Sequence, residues 1–121
     1  MSIQKINIGN KLSLFSDHWN PRVIAQLNNQ FVKLVKFQGA FFWHKHDQED
    51  ELFLVVAGNF TMELRDQSIP LFPGELIIIP KGVEHRPVAE QEVQVMLFEP
   101  ITTLNTGNLE NNLTRPHPDS I

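Results

Sequence analysis

Apolar residues recur at every second position through much of the chain, and this pattern constrains the fold more than any other feature. Residues 60–65 alternate three apolar with three polar side chains, which is typical of a strand with one buried face and one solvent-exposed face. From residue 23 onward, Gly, Pro, Asn and Asp interrupt the pattern every several residues, which predicts many short strands in a sandwich or barrel. The chain is therefore expected to be all-β.

Local turn signals predict how some of these strands are connected. Residues 52–56 lead into residues 60–65 through the turn-forming residues 57–59, which predicts a β-hairpin. Residues 76–79 are apolar and lie between two Pro/Gly turns, so we expect a buried strand there. Residues 93–98 are expected to form the last strand of the series.

The sequence divides into three segments within one domain, because 121 residues leave no room for a second. Residues 1–22 form a lead-in with a short helix, since the apolar residues between positions 7 and 15 are spaced by four and three and Asn7 can cap them. Residues 23–100 form the barrel. Residues 101–121 are rich in Asn, Thr, Pro and Gly and have no apolar period, so we expect an extended arm or a loose tail.

Composition excludes several classes of function. Ten basic and fourteen acidic residues give a net charge of −4, so nucleic acid is not expected as a partner. The absence of cysteine excludes disulfides, thiolate metal sites and a cysteine nucleophile. The longest apolar run, residues 52–57, is too short to span a bilayer, and residues 1–10 lack the apolar stretch of a signal peptide. We therefore expect a cytoplasmic protein without a membrane partner.

Two histidines and a glutamate are spaced so that they can converge. If residues 43–46 form a strand, His44 and His46 point to the same face, and Lys45 points to the other. The turn-like residues 47–50 then return the chain as a strand beginning at Glu51. Hairpin pairing would bring this carboxylate beside the two imidazoles.

His85 is a candidate fourth member of the cluster, because it follows the Pro80-Lys81-Gly82 turn and can open a strand that crosses the same cavity. Imidazole nitrogen and carboxylate oxygen bind divalent ions at about 2.0–2.2 Å, and such a set suits Fe, Mn, Ni, Cu or Zn. The alternative is that His44 and His46 are hydrogen-bonded polar groups of the barrel and bind no ion.

These residues resemble the two motifs of the cupin family, in particular its small phosphomannose-isomerase-like members, over residues 23–98. The positions that match are Gly39, His44, His46, Glu51 and Gly58 in the first motif and Gly74, Pro80, Gly82 and His85 in the second. Four residues rather than five separate the first glycine from the first histidine, and Ala89 stands where the second motif often has Asn. Neither departure falls on a ligand position.

The resemblance implies a jelly-roll barrel of two antiparallel sheets with one divalent metal ion. The ligands of the family correspond to His44, His46, Glu51 and His85. The pocket is expected to be apolar apart from these ligands, with walls formed by Phe42, Phe53, Phe60, Met62 and Leu64.

Three functions remain open for such a site. Because the pocket offers no second acid or base and no serine nucleophile, the metal must carry any chemistry, and a dioxygenase-type reaction on a small organic molecule is favoured. A sugar-phosphate isomerase is the rival, with Lys45, Lys81 and Arg86 as candidate phosphate ligands. The third is a non-catalytic barrel that binds a small molecule.

We also expect a homodimer, because a barrel of two sheets has open edge strands. Residues 23–27, or the arm after Pro100, could cover an edge of a second subunit. The alternative is that the arm folds back on its own barrel.

Overall fold

A computed structural model describes residues 2–121 and confirms an all-β chain with one short N-terminal helix. Antiparallel pairing connects all of its strands. In chain order the elements are α1 (Ile8–Leu12), β1 (Arg22–Leu27), β2 (Gln30–Ala40), β3 (Glu51–Ala57), β4 (Phe60–Leu64), β5 (Ser68–Leu71), β6 (Leu76–Ile79) and β7 (His85–Pro100).

The long strand β7 belongs to both layers of the barrel. Its second half lies between β2 and β3 in the order β1-β2-β7-β3-β6, whereas its first half pairs with β4, which in turn pairs with β5. Its inward side chains, such as Val93 and Val95, are fully buried with Phe37, Phe53 and Met62 in the main core. One strand therefore connects the two sheets and places residues at both ends of the barrel interior.

The predicted hairpin between residues 52–56 and 60–65 is wrong. Both edges of β3 are occupied, one by β6 and the other by β7, so β4 has no edge of β3 on which to pair. The chain instead crosses to the other sheet at Gly58, where a Cβ atom would lie 2.8 Å from the carbonyl oxygen of Glu92. This close approach, together with a φ of +80°, requires glycine at the crossing.

β6 forms where expected, but it is buried on one face only. Ile79 is buried, whereas Leu76 and Ile78 are 54% and 55% exposed. The difference arises because β6 is the last strand of its sheet and its outer face is not covered. The outward side chains of the neighbouring strands, Leu52 and Phe98, are opposite each other in the same layer.

The N-terminal helix is shorter than the predicted residues 7–15. It ends at Leu12, and the Asn7 side chain accepts a hydrogen bond of 2.9 Å from the Asn10 amide, as the capping prediction requires. Leu12 and Phe15 cover Leu34 on the outer face of β2 and form a second, smaller core. Within residues 2–121, no helix is long and apolar enough to cross a membrane.

Residues 101–121 fold back on the barrel from which they come. The Val23 amide donates to the Asp119 carbonyl over 2.8 Å, and the Ile121 amide donates to the Val23 carbonyl over 3.0 Å. The arm therefore covers the free edge of β1 in its own chain. In this structure the segment is therefore a packed arm rather than a loose tail, and it matches the alternative of an arm that folds back on its own barrel.

Candidate metal centre

His44 and His46 lie in an irregular segment rather than in a strand. β2 ends shortly after a register shift next to Gly39. Residues 41–50 then contain one isolated bridge, in which the His44 amide donates to the His85 carbonyl over 3.2 Å and the His85 amide donates to the His44 carbonyl over 2.9 Å. This bridge fixes the backbone of the first motif directly against that of the second.

The expected hairpin between this segment and Glu51 is therefore wrong. Glu51 begins β3 and lies opposite Ile79 of β6. Since β6 and β7 occupy both edges of β3, the histidine segment has no free edge of β3 to pair with. The Glu51 carboxylate reaches the histidines from a different strand pairing than the one predicted.

Phe42 is not a pocket residue: its side chain is 44% exposed, whereas the neighbouring Phe41 is buried. The Phe41 amide donates to the Pro87 carbonyl, and the backbone between Phe41 and His44 does not follow strand geometry. The inward positions are consequently three residues apart instead of two. Alternation counted back from His44 therefore predicted Phe42 inside the barrel, whereas Phe41 is the buried residue.

The four predicted ligands come together in the barrel. His44, His46, Glu51 and His85 are all buried, and one nitrogen or oxygen atom of each lies within 4.8 Å of the others. The Oε1 atom of Glu51 is 3.2 Å from His46 Nε2 and 3.3 Å from His85 Nε2. Two nitrogens and one oxygen thus face a common point.

Backbone carbonyls orient two of the imidazole rings. His44 Nδ1 is 2.8 Å from the Phe42 carbonyl oxygen, and His85 Nδ1 is 2.9 Å from the Val83 carbonyl oxygen. In both cases the acceptor is two residues before the histidine. A proton on Nδ1 leaves the Nε2 lone pair free, which is the tautomer that a metal ligand of this orientation needs.

His46 supplies the observation that tests whether the residues fit a metal ion. Both of its ring nitrogens are buried, and within residues 2–121 neither has a partner in hydrogen-bond geometry, although Nε2 lies 3.2 Å from Glu51 Oε1. A buried polar group without a partner costs about 1–3 kcal/mol. A divalent cation bound by His46 removes this cost at one of the nitrogens, so the donor set fits a metal bound by three imidazoles and one carboxylate.

The electrostatics of the cluster favour an ionised Glu51 and a neutral His44. Burial, reinforced by the neighbouring His85, lowers the pKa of His44 from 6.5 to about 4. Burial alone would lower the pKa of His46, but the nearby Glu51 carboxylate has a larger effect in the opposite direction. The pKa of His46 is therefore raised. Burial alone would raise the pKa of Glu51. The neighbouring Glu99, His46 and His85 have the larger combined effect and hold the pKa of this carboxyl well below its ordinary range.

The lowered pKa of His44 predicts a loss of stability in acid. The unfolded chain binds this proton near pH 6.5 and the folded protein only near pH 4, so the free energy of unfolding decreases as the pH falls between these values. From pH 7 to pH 5 the loss due to His44 is about 2 kcal/mol. The free energy of unfolding of the metal-free protein can be measured with urea at both pH values. We expect the decrease due to His44 to be absent in His44→Gln and present in His117→Gln, a control at an exposed position. Equal pH dependence in wild type and His44→Gln would contradict it.

A small apolar cavity of about 40 Å³ adjoins the cluster. Phe53 lies on its wall as expected, whereas Phe60 and Met62 are buried in the core behind it and Leu64 is half-buried at the end of β4. The remaining wall residues that sequence reasoning missed include Trp19, Phe41 and Asn105. The first and last of these come from the segments before and after the barrel.

The arm also packs directly on residues 44–46, which we call the ligand segment because they contain two of the predicted ligands. The Asn108 amide donates to the Lys45 carbonyl, and the Asn108 side chain accepts from the Lys45 amide, each over 3.0 Å. At Gly107 an added Cβ atom would collide with the Lys45 carbonyl group and would lie 3.1 Å from the His44 ring. Beside this contact, residues 46–49 and residues 102–108 line a cleft of about 210 Å³. No local pattern in residues 101–121 indicated this contact.

Glu51 and Glu49 provide a matched test of the ligand assignment. Glu51 is buried beside two imidazoles, whereas Glu49 accepts a hydrogen bond from Thr102 at the surface. Glu51→Gln should lower metal affinity at least tenfold, because it removes a charged ligand, and Glu49→Gln should leave it unchanged. Competition with a coloured chelator measures both. A larger loss in Glu49→Gln would show that the carboxylate ligand is misassigned.

Comparison with known proteins agrees with the geometry. The Cupin domain family matches residues 32–101. A cupin-2 domain containing protein from Shewanella frigidimarina NCIMB 400 is 50% identical, with a TM-score of 0.78 over 78% of this chain and 93% of that chain. Protein NMB1881 from Neisseria meningitidis is 30% identical, with a TM-score of 0.74 over 80% and 99%.

Two further relatives match less of the chain. KdgF from a Halomonas species is 27% identical, with a TM-score of 0.58 over 66% of this chain and 78% of that chain. The uncharacterized protein YdbB of Bacillus subtilis (strain 168) is 36% identical over 64 residues, which are 52% of this chain and 57% of that protein's length. The family match spans more than half of the chain, and His44, His46, Glu51 and His85 all fall inside it. The chain therefore belongs to the cupin family.

Proposed function

We propose that the protein is a metal-dependent enzyme that acts on a small organic molecule, with a dioxygenase-type reaction as the leading candidate. The observation that carries the proposal is the buried convergence of His44, His46, Glu51 and His85 beside an apolar cavity. A divalent ion with four protein ligands supplies Lewis acidity and, when it is iron, redox chemistry at its remaining positions.

The cavity supports chemistry that must be kept away from water. Its wall contains aromatic side chains such as Trp19, Phe41 and Phe53, and His44 and Glu51 are the ligands that reach it. Trp19 stacks on Phe41 with ring centroids 4.8 Å apart, so this wall is tightly packed. Apolar walls exclude bulk water and strengthen the electrostatic interactions inside. Asn105 also lines the cavity, and its side chain donates to the Leu113 carbonyl and accepts from the Arg115 amide, so it holds the arm at this wall.

The sugar-phosphate isomerase alternative finds less support in the arrangement of the cations. Arg86 forms an ion pair with Glu63, and Lys45 forms one with Asp47 at the surface, 3.4 Å apart. Lys81 is exposed. Among the residues described, no lysine or arginine lies on the cavity wall, so a phosphate group would have no cation to bind there.

The proposal is tested by metal analysis followed by activity screens on the same sample. We expect iron to bind and oxygen uptake to depend on a small, mostly apolar substrate carrying a hydroxyl or carbonyl group. His85→Ala should lose that uptake, and Lys45→Ala should keep it. Isomerisation of a sugar phosphate without oxygen uptake would favour the alternative. Tight metal binding with no turnover across the panel would favour a non-catalytic binder.

We propose further that two copies associate through the open edge of the main sheet. The edge at β1 is covered by residues 119–121, whereas β6 is the other end of the sheet and carries the half-exposed Leu76 and Ile78 beside Leu52. Burial of such apolar residues favours an isologous contact. Size-exclusion chromatography with light scattering should give a dimer for wild type and a monomer for Ile78→Lys. A monomeric wild type would contradict the proposal.

A further inference from the structure

Two buried carboxylates face each other across β3 and β7. The antiparallel register pairs Leu52 with Phe98 and Phe53 with Leu97, so the next position in the ladder places Glu51 opposite Glu99. Both side chains point inward and are buried. Directly opposed residues have Cβ atoms about 4.5–5.5 Å apart, and like charges at this spacing repel. The pair therefore needs a compensating group.

Lys33 of β2 is that group. Its ammonium nitrogen lies 2.9 Å from Glu99 Oε1, and the two residues are 2% and 1% exposed. Lys33 is opposite Leu97 in the β2–β7 register, so it reaches Glu99 diagonally. A charged pair buried this deeply is costly to desolvate. The Lys33–Glu99 pair lies among inward side chains that are otherwise apolar, so packing alone does not explain why these two charged residues are buried here.

The Lys33–Glu99 ion pair lies next to Glu51, the proposed metal ligand. Glu99 lies next to Glu51 when the β3–β7 register is extended by one position, and Lys33 contacts only Oε1 of Glu99. The second oxygen, Oε2, is buried and has no hydrogen-bond partner among the residues that the structure describes. Two opposed buried carboxyl groups can share one proton, and a proton shared through this oxygen would leave the other Glu51 oxygen directed at His46 and His85.

We propose that Glu99, anchored by Lys33, is a positioning residue that holds the Glu51 carboxylate in the orientation needed to bind the metal ion. This inference rests on the metal site proposed above. Oriented ligands bind more tightly because less freedom is lost on binding, and removal of such supporting hydrogen bonds commonly lowers metal affinity 10–100-fold.

The test uses the cobalt(II) affinity and visible absorption spectrum of the full chain, with Lys33→Met/Glu99→Leu as the main variant. Changing both residues together leaves no unpaired buried charge, so the fold should be retained. We expect the double variant to melt at or near the wild-type temperature and to bind cobalt at least tenfold more weakly, with a shifted spectrum. Glu99→Gln keeps a donor for Glu51 and an acceptor for Lys33, and should stay within about threefold of wild type.

Val95→Ala is the control for a merely structural effect. Val95 is fully buried on the same face of β7, so the variant should lower the melting temperature and leave cobalt affinity and spectrum unchanged. If the double variant keeps the wild-type cobalt affinity and spectrum, the positioning role of Glu99 is overturned while the metal site stands. The same holds if Glu99→Gln loses as much cobalt affinity as the double variant. Failure of the wild-type protein to bind cobalt, iron or zinc would overturn the metal site as well.

Discussion

His85→Ala and His44→Ala are each expected to reduce the metal content of the purified protein at least tenfold. His85 is fully buried, begins β7 and faces Glu51 at 3.3 Å. Water replaces a lost imidazole poorly in such a position, because the remaining ligands stay where the backbone bridge holds them. Elemental analysis after dialysis against a metal-free buffer measures the effect.

Lys45→Ala is the matched control for both variants. Lys45 lies between the two histidines in sequence, but its side chain points outward and pairs with Asp47. Its removal should leave metal content unchanged. The same loss in all three variants would show that the segment tolerates no substitution and would contradict the ligand assignment of His44.

Gly107→Ala is expected to lower the free energy of unfolding by about 3 kcal/mol. The new Cβ atom would overlap the Lys45 carbonyl group, with its carbon 2.9 Å away, and the φ of +60° adds strain. Relief requires the arm to move off the ligand segment. We therefore expect faster proteolysis within residues 101–121 and weaker metal binding, measured by limited digestion and chelator competition.

Gly74→Ala separates the two causes. Gly74 also has a positive φ, +84°, but an added Cβ atom would meet nothing within 4 Å. This variant should lose only about 1 kcal/mol from backbone strain and should keep wild-type metal affinity. If both variants lose the same stability and neither changes metal binding, the packing of Gly107 against Lys45 is not important to the site.

The strands and the ligands were predictable because both depend on local spacing. Alternation identified β4, and the Pro/Gly turns bounded β6, since a period of two directly reports a half-buried strand. The ligand set was predictable from the two histidine motifs. Strand pairing was not, because nothing local indicates that both edges of β3 are occupied by strands later in the chain. Phe42 was misplaced for a different reason, because the backbone between Phe41 and His44 does not follow strand geometry.

Lys33 and Glu99 were missed although the sequence carried a signal for them. Glu99 falls in phase with Val93, Val95 and Leu97 on the inward face of β7, and a charge in that phase indicates a buried group with a partner. The partner lies 66 residues away, a separation that a period cannot reveal. Conversely, the arm has no period because side-chain hydrogen bonds, such as those of Asn105 with Leu113 and Arg115, organise it.

The return of the arm to the ligand segment bears on where the domain can be cut. The family match ends at residue 101, and an expression clone trimmed to that boundary would contain all four residues of the candidate metal centre. It would lack Asn105 from the cavity wall, the Asn108 pairing with Lys45 and residues 119–121, which cover the edge of β1. A minimal cupin domain produced in this way would expose the edge of β1 and open the cavity to solvent, so its behaviour would not represent that of the whole chain.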